Sequence, residues 1–225
     1  MKKYILLSGK SWNDELFQDL AKDSVAEWIR ITLKEDFNFQ VVNEIQPDKI
    51  FIPHWSNIIP SEIYNNYECV VFHMTDLPYG RGGSPLQNLI VRGFEITKIS
   101  ALKVGEGLDT GDIYLKKDLS LLGTAEEIFI RASKIIFSMI KLIVSEDMKA
   151  VPQTGTVTEF RRRKPEDSDI SDLPTLDKIY DYIRMLDAEG YPKAYLDMGD
   201  FRLEFSRASL KTGENIVADV RIFKR

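Results

Sequence analysis

Cysteine and histidine are the scarcest chemically reactive residues in this chain of 225 residues. The one cysteine, Cys69, excludes a disulfide within the chain, and the cytoplasm is the default expectation for the compartment. Only two histidines, His54 and His73, are present. The cysteine and the histidines match no zinc-binding spacing, so we expect no metal cofactor.

Long apolar runs are also absent. No run reaches the roughly 18–20 residues that a membrane-spanning helix needs, so we expect no membrane partner. The longest candidate, 128–144, is interrupted by three basic residues, which is typical of an amphipathic helix on a sheet. The first residues begin like a signal peptide, but their apolar stretch is only about five residues long, short of the usual 7–15. We predict a first strand there.

An excess of basic residues is the third absence. Thirty lysines and arginines stand against 35 aspartates and glutamates, which gives a formal net charge of −5. Because nucleic acids are bound largely through their phosphates, this balance predicts no nucleic-acid partner. The basic run at 161–164 (RRRK) is a local exception. It is either a solvated surface or a contact for a phosphate-bearing substrate.

The remaining composition is that of an ordinary globular protein, with 44% hydrophobic and 29% charged residues. The length predicts one full domain with a small appendage. We place the catalytic domain at 1–150 and a small C-terminal subdomain at 151–225. After residue 148 the sequence becomes polar and interrupted by proline, which favours that boundary.

Apolar periodicity predicts alternating strands and helices in the first 150 residues. Strands are predicted at 4–8, 39–42, 49–52, 69–73, 98–104 and 113–121. Helices are predicted at 13–33, with Val25 among the apolar positions, at 84–92, and from a capping box of Thr124 and Glu127 to residue 145. This alternation predicts an α/β fold, a Rossmann-like and mostly parallel sheet with helices on both faces.

The last 75 residues predict a small C-terminal α+β region with β-hairpins. A short helix is expected at 177–186, and strands are expected at 191–196, 201–206 and 217–223. Gly199 and Gly213 lie between those strands, where hairpins turn.

Two glycine-containing triplets imitate known motifs without completing them. The triplet GKS at 9–11 looks like the end of a phosphate-binding P-loop, but that motif requires a glycine where Tyr4 stands. A plain turn and an anion contact through Lys10 and Ser11 both remain open. The triplet DTG at 109–111 matches aspartic proteases, which need a second copy that this sequence lacks.

His54, His73 and Asp109 each follow a predicted strand. Because the carboxyl ends of parallel strands meet at one edge of a sheet, where α/β proteins bind ligands, we expect these side chains to lie close together. One carboxylate can orient and charge one imidazole there. Arg81 lies in the glycine-rich turn that follows His73. A histidine that merely satisfies its own hydrogen bonds is the alternative interpretation.

Three segments carry a resemblance to a known family: HMTDLP at 73–78, RGGSPLQ at 81–87 and GLDTGD at 107–112. Together they resemble the formyltransferases that use 10-formyltetrahydrofolate. The motif of that family is Asn-x-His-x-x-Leu-Leu-Pro with an Arg/Lys-Gly turn, followed by Leu-Asp-Thr-Gly-Asp. The resemblance implies that His73 moves the proton of the acceptor amine and that Asp109 orients His73.

One position departs from the family motif. The catalytic asparagine of the family stands two residues before the histidine, and here that residue is Val71. The loss of such a donor typically lowers a rate by about 10²–10³. We take His54 as the replacement catalytic donor and Asn88 as the second candidate. A catalytically silent protein that binds folate or a nucleotide sugar is the alternative.

The resemblance also implies the ligands. It assigns the pterin of 10-formyltetrahydrofolate to two loops, through Trp55, Asn57, Gly105, Glu106, Leu108 and Asp112, without metal or nicotinamide.

The segment 69–87 looks most similar to the sugar N-formyltransferases of pseudaminic acid biosynthesis. The implied acceptor is the 4-amino group of UDP-4-amino-4,6-dideoxy-N-acetyl-L-altrosamine, with the diphosphate held by Lys10, Ser11 and Arg81. We therefore expect a nucleotide sugar and folate as the only partners, and we leave a homodimer open. Formylation of methionyl-tRNA is the less favoured alternative because the chain is short and acidic.

Overall fold

The computed structural model describes residues 1–22, 26–146, 148–212 and 214–225. Its strands are β1 (Lys2–Leu7), β2 (Ala26–Ile31), β3 (Lys49–Pro53), β4 (Cys69–His73), β5 (Arg81–Gly82), β6 (Ile96–Lys103), β7 (Ile113–Ser120), β8 (Glu159–Phe160), β9 (Ala194–Met198), β10 (Phe201–Lys211) and β11 (Asn215–Lys224). Its helices are α1 (Asp14–Ala21), α2 (Phe39–Ile45), α3 (Ser61–Tyr64), α4 (Pro85–Val91), α5 (Ala125–Ser145) and α6 (Leu176–Met185).

The chain divides into two compact units. The first contains residues 1–82, 97–119 and 130–159, and the second contains residues 83–96, 120–129 and 160–225. Neither unit is continuous in sequence. The domain boundary that we placed at residue 150 stays a prediction.

The large sheet has the strand order β2-β1-β3-β4-β6-β7 in the described part of the chain. Strands β2, β1, β3 and β4 are parallel to one another. The middle strands are almost fully buried, since every residue from Tyr4 to Leu7 and from Ile50 to Ile52 is at most 1% exposed. Such continuous apolar runs are typical of parallel strands that are covered on both faces. The predicted fold class, a mostly parallel α/β sheet with helices and a C-terminal hairpin region, is confirmed.

Two predicted elements near the N-terminus are wrong. The helix expected at 13–33 ends at Ala21, and the strand β2 follows it. Val25 lies outside the described residues. The apolar spacing beyond Ala21 imitated a helix because β2 is an edge strand whose residues are mostly half-buried, so its alternation is weak.

The strand expected at 39–42 is the helix α2 instead. Asn38 caps this helix, because its side-chain oxygen accepts the backbone N–H of Val41 at 3.0 Å. An asparagine before an apolar run is a helix-start signal that outweighs the β-propensity of the two valines that follow.

The capping box at the start of α5 is confirmed. The backbone N–H of Thr124 donates to Oε2 of Glu127 at 2.8 Å, and the N–H of Glu127 donates to Oγ1 of Thr124 at 3.3 Å. The helix α5 is amphipathic, as its interrupting basic residues predicted. Within the described ranges, no helix is both long enough and apolar enough to cross a bilayer.

In the second unit, a three-stranded antiparallel sheet has the order β11-β10-β9. The helix α6 packs on β10 and β11 of this sheet. Gly199, between β9 and β10, has a φ of +58°, which fits the predicted hairpin turn. Gly213, the other predicted turn residue, lies outside the described residues.

Candidate active site

His73 ends β4, and its side chain is 7% exposed. Its Nε2 lies 2.8 Å from the carbonyl oxygen of Gly80 and donates an N–H to it. Its Nδ1 lies 3.4 Å from Oδ2 of Asp109. The bond to Gly80 selects the tautomer of the neutral ring, with the proton on Nε2 and the lone pair on Nδ1. A proton gained at Nδ1 would then face a carboxylate.

Asp109 lies in the loop between β6 and β7. Its backbone φ of +54° is in the left-handed region, which aspartate tolerates better than most residues. Its Oδ2 accepts the backbone N–H of Gly82 at 2.9 Å. Two residues on, a Cβ at Gly111 would lie 1.7 Å from the carbonyl oxygen of Lys103, so only glycine fits there. The backbone of this loop therefore aims the carboxylate at His73.

The predicted meeting of His73 and Asp109 is confirmed, but by a different route. The strand β6 runs antiparallel to β4, with His73 opposite Ser100. The carboxyl end of β6 thus lies beside the start of β4, where the N–H of Val104 donates to the carbonyl oxygen of Cys69 at 2.8 Å. Adjacent strand ends do not bring the pair together. The loop after β6 returns along β4, which is only five residues long, and delivers Asp109 to His73.

The turn after β4 is tied to β6. Oγ of Ser100 donates to the carbonyl oxygen of Thr75 at 2.7 Å and accepts the N–H of Leu77 at 3.3 Å. The peptide bond between Leu77 and Pro78 is cis. These contacts hold the turn that presents the Gly80 carbonyl to the histidine ring.

A segment that the sequence did not single out as functional also reaches this turn. We call residues 151–158 the strap. Val151 exchanges two backbone hydrogen bonds with Ile113, at 2.8 and 2.9 Å. Gln153 and Thr158 bond to the residues around Asp109 and Gly80. The sequence signal was weak, because a glutamine before a Thr/Gly-rich stretch predicts an ordinary surface loop.

His54 follows β3 at the same sheet edge as His73, because β3 and β4 are parallel and Pro53 is the partner of Phe72. Its backbone φ is +58°. The ring packs edge-on against Trp12, with centroids 4.9 Å apart. Burial, together with the nearby positive charge of Lys10, lowers the pKa of His54 from 6.5 to about 3. The imidazole is therefore neutral at ordinary pH, and a neutral ring still donates one N–H.

Val71 provides no hydrogen-bond donor to this site. It lies two residues before His73 on β4, so both side chains project from the same face of the sheet. The valine packs on the apolar cluster of Leu77, Leu102 and Ile113. These apolar contacts fit the half-buried valine that this chain has.

Asn88, the second candidate for the missing donor, already has partners for its amide. In the second unit, its Nδ2 donates to the carbonyl oxygens of Gly83, Ser84 and Arg161 at 3.0, 3.1 and 3.0 Å. These contacts use both N–H groups of the Asn88 amide.

The residues assigned to the pterin lie on the two expected loops. Trp55 is half-buried, with its ring 6.4 Å from that of Phe37, and Asn57 is exposed. In the loop after β6, Glu106 and Asp112 are both exposed, and Leu108 is 64% exposed. The carbonyl of Glu106 accepts the hydroxyl of Thr110 at 2.6 Å. A Cβ added to Gly105 would meet nothing within 4 Å.

The residues assigned to a diphosphate have different surroundings. Nζ of Lys10 lies 5.2 Å from the centroid of the Trp12 ring, and Ser11 opens a short 3₁₀ turn. The guanidinium of Arg81 instead donates to Oε1 of Gln153 at 2.8 and 3.2 Å. In the described ranges, no group of three or more potential metal-ligating side chains could hold an ion. The expectation of no metal stays a prediction.

Comparison with known proteins identifies the family. A model described as formyl transferase matches residues 16–131, and a model described as methionyl-tRNA formyltransferase, C-terminal domain, matches residues 165–223. The first match spans more than half of the chain. The chain belongs to the formyltransferase family.

Two solved structures show the likeness at different depths. A methionyl-tRNA formyltransferase from Clostridium thermocellum is 55% identical, with a TM-score of 0.97 over 100% of both chains. A sugar N-formyltransferase from Shewanella sp FDAARGOS_354 is 16% identical, with a TM-score of 0.72 over 92% of this chain and 97% of that one. The second likeness shows the fold alone.

A curated relative is longer than this chain. The methionyl-tRNA formyltransferase of Thermodesulfovibrio yellowstonii is 25% identical over 189 residues, which are 80% of this chain and 61% of that protein. The chain thus spans about three fifths of the length of this relative.

These findings contradict two expectations. The interpretation as a sugar N-formyltransferase of the pseudaminic acid pathway is wrong, because the full-length 55% identity and the C-terminal model both point to another branch of the formyltransferase family. The assignment of Lys10, Ser11 and Arg81 to a diphosphate stays a prediction. The exclusion of a nucleic-acid partner is also wrong, since a net charge summed over the chain says little about a local basic surface.

Proposed function

We propose that this chain transfers the formyl group of 10-formyltetrahydrofolate to the amino group of methionyl-tRNA. The 55% identity to a methionyl-tRNA formyltransferase over 100% of both chains carries this proposal. The match of residues 165–223 to the C-terminal domain of such enzymes supports it independently. A cytoplasmic location and a homodimer stay predictions.

The two loops assigned to the pterin fit a flat ring. The half-buried Trp55 and the exposed Leu108 offer apolar surface, and the space around Gly105 is open. Residues 54–57 and 105–108 together with Asp112 would hold the folate. When bound, 10-formyltetrahydrofolate supplies an activated formyl carbon to the amine.

The geometry of His73 suits it to move the proton of the attacking amine. Its Nε2–H is donated to the Gly80 carbonyl, so Nδ1 carries the lone pair that accepts the proton. Asp109, with Oδ2 at 3.4 Å from Nδ1, then stabilises the charged ring. The N–H of Gly82 keeps that carboxylate in place.

We further propose that His54 supplies the donor that Val71 lacks. Its position at the parallel edge next to His73 and its neutral ring support this role. A neutral imidazole N–H can hydrogen-bond to negative charge that develops on the formyl oxygen.

An acceptor assay tests the proposed function. The protein is incubated with 10-formyltetrahydrofolate and either methionyl-tRNA or a UDP-linked 4-amino sugar, and the added formyl mass is measured. We expect formyl-methionyl-tRNA with the wild type, unmodified sugar, and no product with His73→Asn. Formylation of the sugar alone, or of neither acceptor, would contradict the proposal.

A further inference from the structure

The strap, residues 151–158, is bonded to both groups that hold the ring of His73. Oγ1 of Thr158 accepts the backbone N–H of Gly80 at 2.7 Å, and the Gly80 carbonyl accepts Nε2 of His73. The backbone of Thr158 also bonds to Pro78 and Arg81, at 3.3 and 3.0 Å. Thr158 therefore fixes the peptide unit that orients Nε2.

Gln153 reaches the other side of the ring through the loop that carries Asp109. Its Nε2 donates to the carbonyl oxygens of Asp109 and Gly111, both at 2.8 Å. Its Oε1 accepts two N–H groups of Arg81, at 2.8 and 3.2 Å. Both ends of one half-buried amide are thus fully used.

The two carbonyls that Gln153 holds belong to the strained residue Asp109 and to Gly111, two residues later. Asp109 has a φ of +54°, a conformation that costs free energy for any residue with a side chain and persists only when its surroundings fix it. The bonds from Gln153 fix the backbone of Asp109 itself and of Gly111, two residues later. With those bonds removed, the loop can relax, and the carboxylate moves away from Nδ1 of His73.

We propose that Gln153 is a positioning residue, which locks the Asp109 loop through its amide nitrogen and thereby sets the contact between Asp109 and His73. The inference about catalysis rests on the proposed function, whereas the structural part does not. Arg81 takes the opposite end of the amide and keeps the nitrogen turned toward the loop. Gln153 belongs to no sequence motif, because the groups it serves are about 40 residues and more away in the chain.

Two substitutions separate the two ends of the amide. Gln153→Met keeps the length of the side chain and removes both ends. Gln153→Glu keeps an acceptor for Arg81 but places a second oxygen against the carbonyls of Asp109 and Gly111, which repel it. Gln40→Met is the matched control, because Gln40 is an exposed glutamine on α2 whose side chain bonds to Glu44 and to no residue of the strap or the Asp109 loop.

The kinetic test measures formyl transfer to methionyl-tRNA. Because a displacement of about 1 Å at a catalytic group can lower a rate by about 10²-fold, we expect kcat to fall between 10- and 10²-fold in both Gln153 variants. The KM for methionyl-tRNA and the thermal midpoint should stay near the wild-type values. Gln40→Met should match the wild type. Wild-type kcat in Gln153→Glu would show that the Arg81 end alone matters, and it would overturn the inference.

A second test does not depend on activity. The chain has only two histidines, so ¹⁵N-histidine labelling gives two imidazole spin systems, which His54→Asn assigns. We expect Gln153→Met and Gln153→Glu to change the Nδ1 resonance of His73 and to leave His54 unchanged. An unchanged His73 ring in a folded Gln153→Met protein would overturn the proposal. If the wild type formylates no acceptor but the His73 resonance responds, the proposed function fails and the positioning role stands.

Discussion

The two histidines lie at the carboxyl ends of neighbouring parallel strands, yet the charged groups near the two rings differ in sign. His73 lies between a carbonyl and a carboxylate, 2.8 Å from the first and 3.4 Å from the second, so its Nδ1 faces a negatively charged group. His54 lies against the Trp12 ring with the positive charge of Lys10 nearby, so burial keeps it neutral. The same position at a strand end thus yields one residue suited to proton transfer and one suited to donate an N–H.

The difference comes from the chain segments that approach each ring. Asp109 reaches His73 because the loop after β6 turns back along β4, whereas the charge that acts on His54 is the positive one of Lys10, from the segment after β1. A histidine after a strand is therefore weak support for catalysis by itself. The stronger support for catalysis is a carboxylate near the second ring nitrogen, as Asp109 is for His73.

Removal of His73 is the strongest test of this comparison. We expect His73→Asn to lower kcat by at least about 10³-fold, because the variant has no group that takes the proton of the amine. The thermal midpoint and the affinity for tetrahydrofolate should change little. Single-turnover formyl transfer to methionyl-tRNA measures the effect, and near-native turnover would show that the proton leaves by another route.

Removal of His54 should have the next largest effect. We expect His54→Ala to lower kcat by about 10²-fold if its N–H replaces the asparagine that Val71 displaces. His54→Asn should recover part of the rate, since asparagine donates an N–H and tolerates the backbone φ of +58°. A loss of only a few-fold in His54→Ala would remove His54 from the catalytic set.

The pH dependence of stability sharpens the contrast without any substrate. The pKa of His54 is about 3 in the folded chain and rises to about 6.5 on unfolding, so the unfolded state binds the extra proton between these values. The contribution of His54 to stability is complete above about pH 6.5 and is lost as the pH falls. We expect His54→Asn to flatten this decline by at most about 1.4 kcal/mol per pH unit.

Urea unfolding at pH 4, 5, 6 and 7 measures this slope for the wild type and for His54→Asn. The two proteins should differ most at pH 4 and converge toward pH 7. Identical slopes would mean that His54 titrates in the folded chain near its ordinary value, and the contrast between the two histidines would disappear.

The sequence was informative where a single strand determines the position of a residue. The apolar run before His73 predicts β4 and its end, and the glycines of the GLDTGD segment predict a tight loop that presents Asp109. The sequence was uninformative where contacts between distant segments determine the position of a residue. Nothing local shows that β6 runs antiparallel, and Gln153 acts through carbonyls that any sequence possesses.

The acceptor was predicted wrongly for a related reason. The motif around His73 indicates the formyl-transfer chemistry of the family, and it does not identify the acceptor. The basic run at 161–164 has two interpretations from the sequence, a solvated surface or a phosphate contact, and a net charge of −5 does not decide between them. The net charge averages over a surface that a tRNA would touch only locally.

The smallest expected effect concerns that basic run, in the second unit. Arg162 and Lys164 are exposed, and the guanidinium of Arg161 pairs with Asp167 at 2.6 Å. We expect Arg162 and Lys164 to contact tRNA phosphates. Arg162→Ala and Lys164→Ala should then each reduce the slope of log K for tRNA binding against log salt concentration by about one. Lys134→Ala, an exposed lysine of the first unit, is the control. Equal salt-dependence slopes for all variants and the wild type would place the tRNA elsewhere on the protein. The predictions for the His73 and His54 variants do not depend on this result.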